Sequence, residues 1–279
     1  MKLKLFLLLI FFSLKISAQE IFKEKYNYKA TYRLEYQEDS TDTNSIKSET
    51  GVLYLGKGHS RYSSLGKAVK DSLEAYVEAS NISKSESFEI LNQAPETEFH
   101  YKIFKNFQDN ELILAEIITV DKWRYKYIQD LNTIDWEIQP ENKDILGFST
   151  QKATGSFAGR NYVAWFAPKL PFSDGPYKFS GLPGLILEIS DLENHYHFSL
   201  TGFEELANPV DELLDLNSYK VLSQEELDQF RDDHNRDPLA AYKNAGVRFG
   251  FRNKEDEAKT RKALSEKYKK RNNPIELQP

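Results

Sequence analysis

The chain has 279 residues, no cysteine, 13% aromatic residues and a formal net charge of −6. Without cysteine, disulfides, thiolate metal sites and cysteine nucleophiles are excluded together, and the acidic balance argues against nucleic acid as a partner. A chain of this size can still hold one fold by burial alone, since it hides about three quarters of its unfolded surface.

Residues 1–18 read as a secretory leader. Lys2 and Lys4 precede the apolar run Leu5 to Leu14, and Ile16-Ser17-Ala18 offers a cleavage site. Loss of Lys2, Lys4 and Lys15 with the leader takes the charge from −6 to −9. The run is shorter than the roughly 20 helical residues a bilayer requires, and no cysteine follows it to carry a lipid. The expectation is an exported protein, periplasmic or secreted, that is not a lipoprotein and has no transmembrane helix in its mature chain. Residues 19–279 then form a single domain, of which 220–279 is a mostly helical part.

Perfect alternation from Tyr26 to Tyr36 predicts a half-buried strand whose inner face carries Tyr26, Tyr28, Ala30, Tyr32, Leu34 and Tyr36. Polar residues Asp39 to Glu49 separate it from a strand at Gly51 to Leu55 and a short segment around Tyr62. Lys67 to Ala79 reads as a helix, and Asn81 to Glu98 as a polar excursion. Strands follow at Phe99 to Ile103, Leu112 to Val120, Trp123 to Ile128 and Ile134 to Ile138. Their short connections imply antiparallel pairing. Two further strands follow Gly147, with Gly155 and Gly159 at the bends, and Pro168 and Pro171 end the run Asn161 to Ala167.

Phe172 to Pro176 reads as a turn leading through Tyr177-Lys178-Phe179 into Gly181-Leu182-Pro183-Gly184-Leu185-Ile186. In this hexapeptide Pro183 and Gly184 suit the two central positions of a type II turn. The aliphatic run from Leu185 predicts a buried strand, pairing across Asp191 to Asn194 with His195 to Phe203. The remainder reads as helical. Ser223 and Glu226 form a capping box, Asp237-Pro238 is an N-cap with an N1 proline, and Asn253 caps a charged helix. The pattern defines a mainly β (α+β) fold: a strongly curved or partly closed antiparallel sheet with C-terminal helices.

The hexapeptide resembles the signature of the GLPGLI family, also called Porph_ging. The similarity extends in order over Ile145 to Phe148, Gln151 to Ala153, Gly159-Arg160, Ala164 to Phe166, Gly175 to Phe179 and Gly181 to Glu188, and resumes at Asn272 to Leu277. It implies an exported Bacteroidetes protein and brings no established catalytic residue. Thr150 stands where relatives commonly carry cysteine, so no role of that thiol transfers.

Chemistry-bearing motifs are sparse. There is no Gly-x-Ser-x-Gly elbow, and the glycines punctuate strands rather than open a helix beneath a phosphate. His195 and His197 share one strand face near Glu188, Asp191 and Glu193, which permits a common metal shell; two outward imidazoles explain the pattern as well. Arg160, Tyr162, Trp165, Tyr177 and Lys178 surround the family-like segment. Arginine among aromatics can hold an acidic or planar ligand, while packing alone would equally account for Trp165. The reading these features favour is a non-catalytic binding or envelope-accessory protein of the periplasm, with a small molecule, a lipid or an envelope protein as partner and no cofactor. The alternatives are a metal-dependent envelope hydrolase using His195 and His197, and an accessory subunit of an outer-membrane transporter.

Overall fold

The computed structural model describes residues 21–117, 124–131, 133–244 and 246–278; residues 1–18, expected to be a leader, and the expected strand ends at Val120 and Trp123 lie outside them. The first half contains strands β1 (Ile21–Gln37), β2 (Ile46–Gly56) and β3 (His59–Ser64), helices α1 (Leu65–Ala79) and α2 (Lys84–Leu91), then β4 (Tyr101–Asn106), β5 (Glu111–Ile117) and β6 (Arg124–Asp130). The second half contains β7 (Glu137–Ile145), β8 (Phe148–Phe157), β9 (Arg160–Ala167), β10 (Leu185–Asp191), β11 (Tyr196–Asp215) and β12 (Lys220–Val221), then α3 (Gln224–Arg236), α4 (Pro238–Asn244) and α5 (Lys254–Lys269).

Among the described residues these twelve strands form one open sheet in the order β12-β6-β5-β4-β3-β2-β1-β11-β10-β9-β8-β7, and only its β12–β6 pair is parallel. The order makes the sheet's curvature measurable from contacts. The ammonium of Lys178, on the loop between β9 and β10, lies 3.2 Å from Gln129 of β6 and 5.8 Å from the Phe157 ring of β8. Those strands stand nearly at opposite edges, so the sheet must curl around that loop. Its inner face carries Tyr32, Leu34, Leu53, Tyr62, Ile103, Leu114, Tyr162, Phe166 and Phe198, and the loop plugs the hollow with Tyr177, Phe179 and Leu182. The mainly β fold with a strongly curved sheet and C-terminal helices is therefore as the sequence pattern indicates.

Alternation in β1 holds from Tyr28 to Tyr36: Ala30, Tyr32, Leu34 and Tyr36 are buried and Tyr28 packs against the core. The expectation is corrected at Tyr26, because a bulge between Tyr26 and Tyr28 turns it to the other face, where it is buried beside Tyr54. Ser64 caps α1 through the Lys67 amide, so that helix begins two residues before the expected Lys67. The Ser223–Glu226 capping box and the Asp237 and Asn253 caps all form.

Four local expectations are corrected. The excursion from Asn81 to Glu98 contains α2, capped by Ser83. The strand expected at Ile134 to Ile138 begins instead at Glu137 and runs to Ile145, a polar edge strand in which Pro140 and charges replace apolar alternation. Gly155 is no bend: it lies inside β8, where a Cβ would stand 2.8 Å from the Trp136 ring. The residues after Phe203 continue β11 as far as Asp215 before the helices begin.

The turn within the hexapeptide also differs. The Gly184 amide donates to Leu182 O at 2.8 Å, two residues back, and Leu185 donates to Leu170 instead of closing a type II turn. Pro183 thus centres a three-residue turn, which its fixed φ suits. Gly184 is required by close approach, since a Cβ there would sit 2.3 Å from the Ala167 carbonyl oxygen.

Candidate functional site

The hexapeptide's turn and Tyr177-Lys178-Phe179 belong to one loop, anchored by an ion pair in the core. Lys105 of β4 is fully buried and donates to Asp174 Oδ1 at 2.6 Å, Gly175 O at 2.8 Å and Phe179 O at 3.0 Å. All three ammonium protons thus have acceptors, the condition under which a buried lysine is tolerated. Burial nonetheless pulls its pKa below the usual lysine value, with Asp174 opposing.

Beyond this anchor Tyr177 takes φ +52, a left-handed backbone that is rare for a bulky side chain. That conformation delivers the Tyr177 hydroxyl and the Lys178 ammonium to one carboxylate, Glu276, with the Lys178 contact at 2.5 Å. The Lys178 ammonium also lies 4.9 Å from the Tyr127 ring centroid. Burial lowers its pKa, and the charge of Glu276 works against that.

Arg160, at the start of β9, is the hub of an adjoining socket and only 4% exposed. Its guanidinium donates to Asp191 Oδ2 at 2.9 Å, Asn273 Oδ1 at 2.6 Å, Pro274 O at 2.6 Å and Ile275 O at 3.1 Å. Tyr162 and Tyr196 donate their hydroxyls to Ile275 O at 3.4 Å and Asn273 O at 2.7 Å. Asp191 is held from its other side by the Tyr196 amide at 2.7 Å. The structure therefore brings Arg160, Tyr162, Tyr177 and Lys178 together around segment 272–277 of the same chain.

Trp165 lies apart from them. Residues three apart on a strand point to opposite faces, so Trp165 is on the outer face while Tyr162 points inward. There Lys143 Nζ sits 4.4 Å from its ring centroid and 2.9 Å from Glu188. The two histidines hold different partners: His195 contacts Arg160 at 3.2 Å, while His197 stands 3.7 Å from Glu188 and 3.9 Å from Glu35. Among the described residues no group of three or more His, Cys, Asp or Glu side chains could hold a metal ion. Thr150 is buried and donates to Lys143 O at 2.7 Å within the β7–β8 pair.

A larger open site has no counterpart in the sequence motifs. A cleft of about 1160 Å³ lies between the inner rim of the sheet, the connection through Pro95 and Glu98, and helices α3 to α5. Tyr36, Phe230, Tyr242 and Tyr268 contribute aromatic surface to it. The His234 ring stands 5.6 Å from both Tyr242 and Tyr268. Its charges are largely paired with one another. Arg231 meets Glu116 at 2.5 Å and Asp228 at 3.0 Å, and Arg271 meets Glu98 at 2.8 Å and Glu38 at 3.2 Å. Glu49 accepts from Thr97 at 2.6 Å, the Glu98 amide at 2.8 Å and Tyr36 at 3.3 Å. Burial pushes the Tyr268 hydroxyl up to about 12 and lowers His100 below the usual histidine value. The signal for this cleft was divided among Tyr36, Glu49, Glu98, Arg231 and Tyr268, which only the folded chain collects.

Residues 158–188, spanning Arg160 to the hexapeptide and its strand, match the model of the family described as "Protein of unknown function (Porph_ging)". The family resemblance is thus borne out over this segment. Among solved structures, PNGF-II in the P21 space group superposes with a TM-score of 0.50 at 14% identity, covering 73% of this chain and 32% of that one. PNGF-II in the C2 space group gives 0.49 at 14% identity over 74% and 32%. An uncharacterized conserved protein from Thermus thermophilus gives 0.34 at 9% identity over 71% and 91%. The chain spans about a third of PNGF-II, and the first likeness is one of fold alone. No curated protein matches the chain.

Proposed function

We propose that this is an exported, non-catalytic binding protein whose ligand occupies the cleft between the sheet and α3 to α5. The observation that carries the reading is the cleft itself, about 1160 Å³ and lined by Tyr36, Phe230, Tyr242 and Tyr268 among mutually paired charges. Ligand sites run to several hundred Å³ or more, with aromatic walls and a few directed polar groups. Because Arg231 and Arg271 are each paired with carboxylates, and Glu49 is hydrogen-bonded by neutral donors, the cleft offers directed hydrogen bonds without a strong net field. It therefore suits an uncharged polar small molecule with apolar faces better than an ion or a lipid chain. The leader-like segment with Lys2, Lys4 and Leu5 to Leu14 supports export.

Native mass spectrometry on protein recovered from its own envelope tests this reading. The expected result is a non-covalent adduct on the natural chain that is lost from a folded Tyr268→Ala, Phe230→Ala variant. A chain that carries no adduct and turns over a substrate would overturn it.

A further inference from the structure

Segment 272–277 is held in the way a peptide ligand is held. Its carbonyls at 273, 274 and 275 are received in succession by Tyr196, Arg160 and then Arg160 with Tyr162. None of these three joins a strand ladder; the main chain of the segment meets that of the body where the Leu277 amide donates to Ala158 O at 2.8 Å. Its side chains are read as well. Asn273 accepts from Arg160 at 2.6 Å and donates to Gln37 O at 2.8 Å. Ile275 is buried, and Glu276 is claimed by Lys178, Tyr177 and, at 2.8 Å, Gln224. Pro274 is exposed and is used through its carbonyl, so its missing N–H costs nothing.

The contrast with the tether is marked. α5, which leads into the segment, has no buried residue. Its links to the body include the Lys243–Glu257 pair at 2.5 Å and the Arg261–Asp237 pair, both substantially exposed. Exposed pairs of this kind contribute about 0–1 kcal/mol each. Residues 246–253 before α5 are exposed except for Phe251. A tightly read segment on a loosely packed arm stays in place largely through its high effective concentration, and an arm that swings free leaves the socket's buried donors needing the same acceptors.

We infer that the Arg160 socket is a peptide-recognition site for extended segments carrying Asn-Pro-Ile-Glu, and that it can accept the 272–277 segment of a second copy of this chain. Side-chain capture of successive carbonyls gives such a site its affinity, and the Asn273 and Glu276 contacts give it sequence preference.

The probe is a fluorescent synthetic peptide spanning Arg271 to Gln278, standing in for the second copy's segment and followed by polarisation on the full chain. A full-length Asn273→Ala, Glu276→Ala variant weakens the internal occupant and leaves every socket donor in place; its fold is checked by circular dichroism. The peptide should bind this variant at least about tenfold more tightly than the natural chain, because the internal competitor is weakened. The same two changes made in the peptide should abolish its binding, a control that cannot disturb the protein. Absence of binding to the folded variant, or equal binding of the altered peptide, would overturn the inference.

Discussion

The Arg160 socket and the aromatic cleft teach opposite lessons about polar side chains. In the socket, Arg160 and Lys178 are almost wholly buried and their partners come from the chain itself. In the cleft, Arg231, Arg271 and Glu98 are also paired, but they line about 1160 Å³ of open space. The first arrangement commits its hydrogen-bonding capacity to the chain's own segment 272–277. The second keeps its surface accessible, so disturbing it should affect binding more than stability.

The sharpest way to break that contrast is Arg160→Ala. It leaves Asn273 Oδ1 and Pro274 O without the donor described for them, Asp191 without its cation and Ile275 O with Tyr162 alone, and chemical denaturation should register a loss of about 3–5 kcal/mol. A result below about 1 kcal/mol would make the socket no more structural than the cleft. Gly184→Ala should cost about 1–3 kcal/mol by overpacking against the Ala167 carbonyl, read as a lower Tm.

On the cleft side, Tyr268→Ala should change stability by less than about 1 kcal/mol, since α5 buries no residue. Its effect belongs in the adduct seen by native mass spectrometry.

The smallest expected effect is on pH dependence. Burial depresses the pKa of His100, so the unfolded chain takes up that proton first as pH falls. The contribution is present above about pH 6.5 and is lost as pH drops through the folded value. Denaturation midpoints at pH 7.5 and 5.5 should therefore differ less in His100→Gln than in the natural chain.

The sequence disclosed the fold where local rules decide it. Alternation in β1 survives from Tyr28 onward because one face is buried, and Ser223, Asp237 and Asn253 cap helices through bonds spanning three residues. It misplaced β7, whose polar residues suit an edge and carry no apolar alternation, and mistook the type of turn at Pro183, where the Leu185 amide is taken by Leu170. Arg160, Tyr162, Tyr177 and Lys178 were legible as a cluster because they flank one motif. What they touch was not, because Asn273 to Glu276 lie about a hundred residues further on. The cleft was hidden for the same reason, its walls being drawn from Tyr36 through to Arg271.

The place of β1 in the sheet has a kinetic consequence. The first described strand lies in the interior between β2 and β11, and its inner edge has no partner until the chain has been made as far as Tyr196. Contacts so distant in sequence are slow to close. A nascent or unfolded chain should therefore hold β1 and β2 as an incomplete hairpin with one sticky edge, and refolding should be rate-limited by the arrival of β11. Weakening that pairing at Phe198 ought to slow refolding more than an equally destabilising change at Leu114 in the β4–β5–β6 meander.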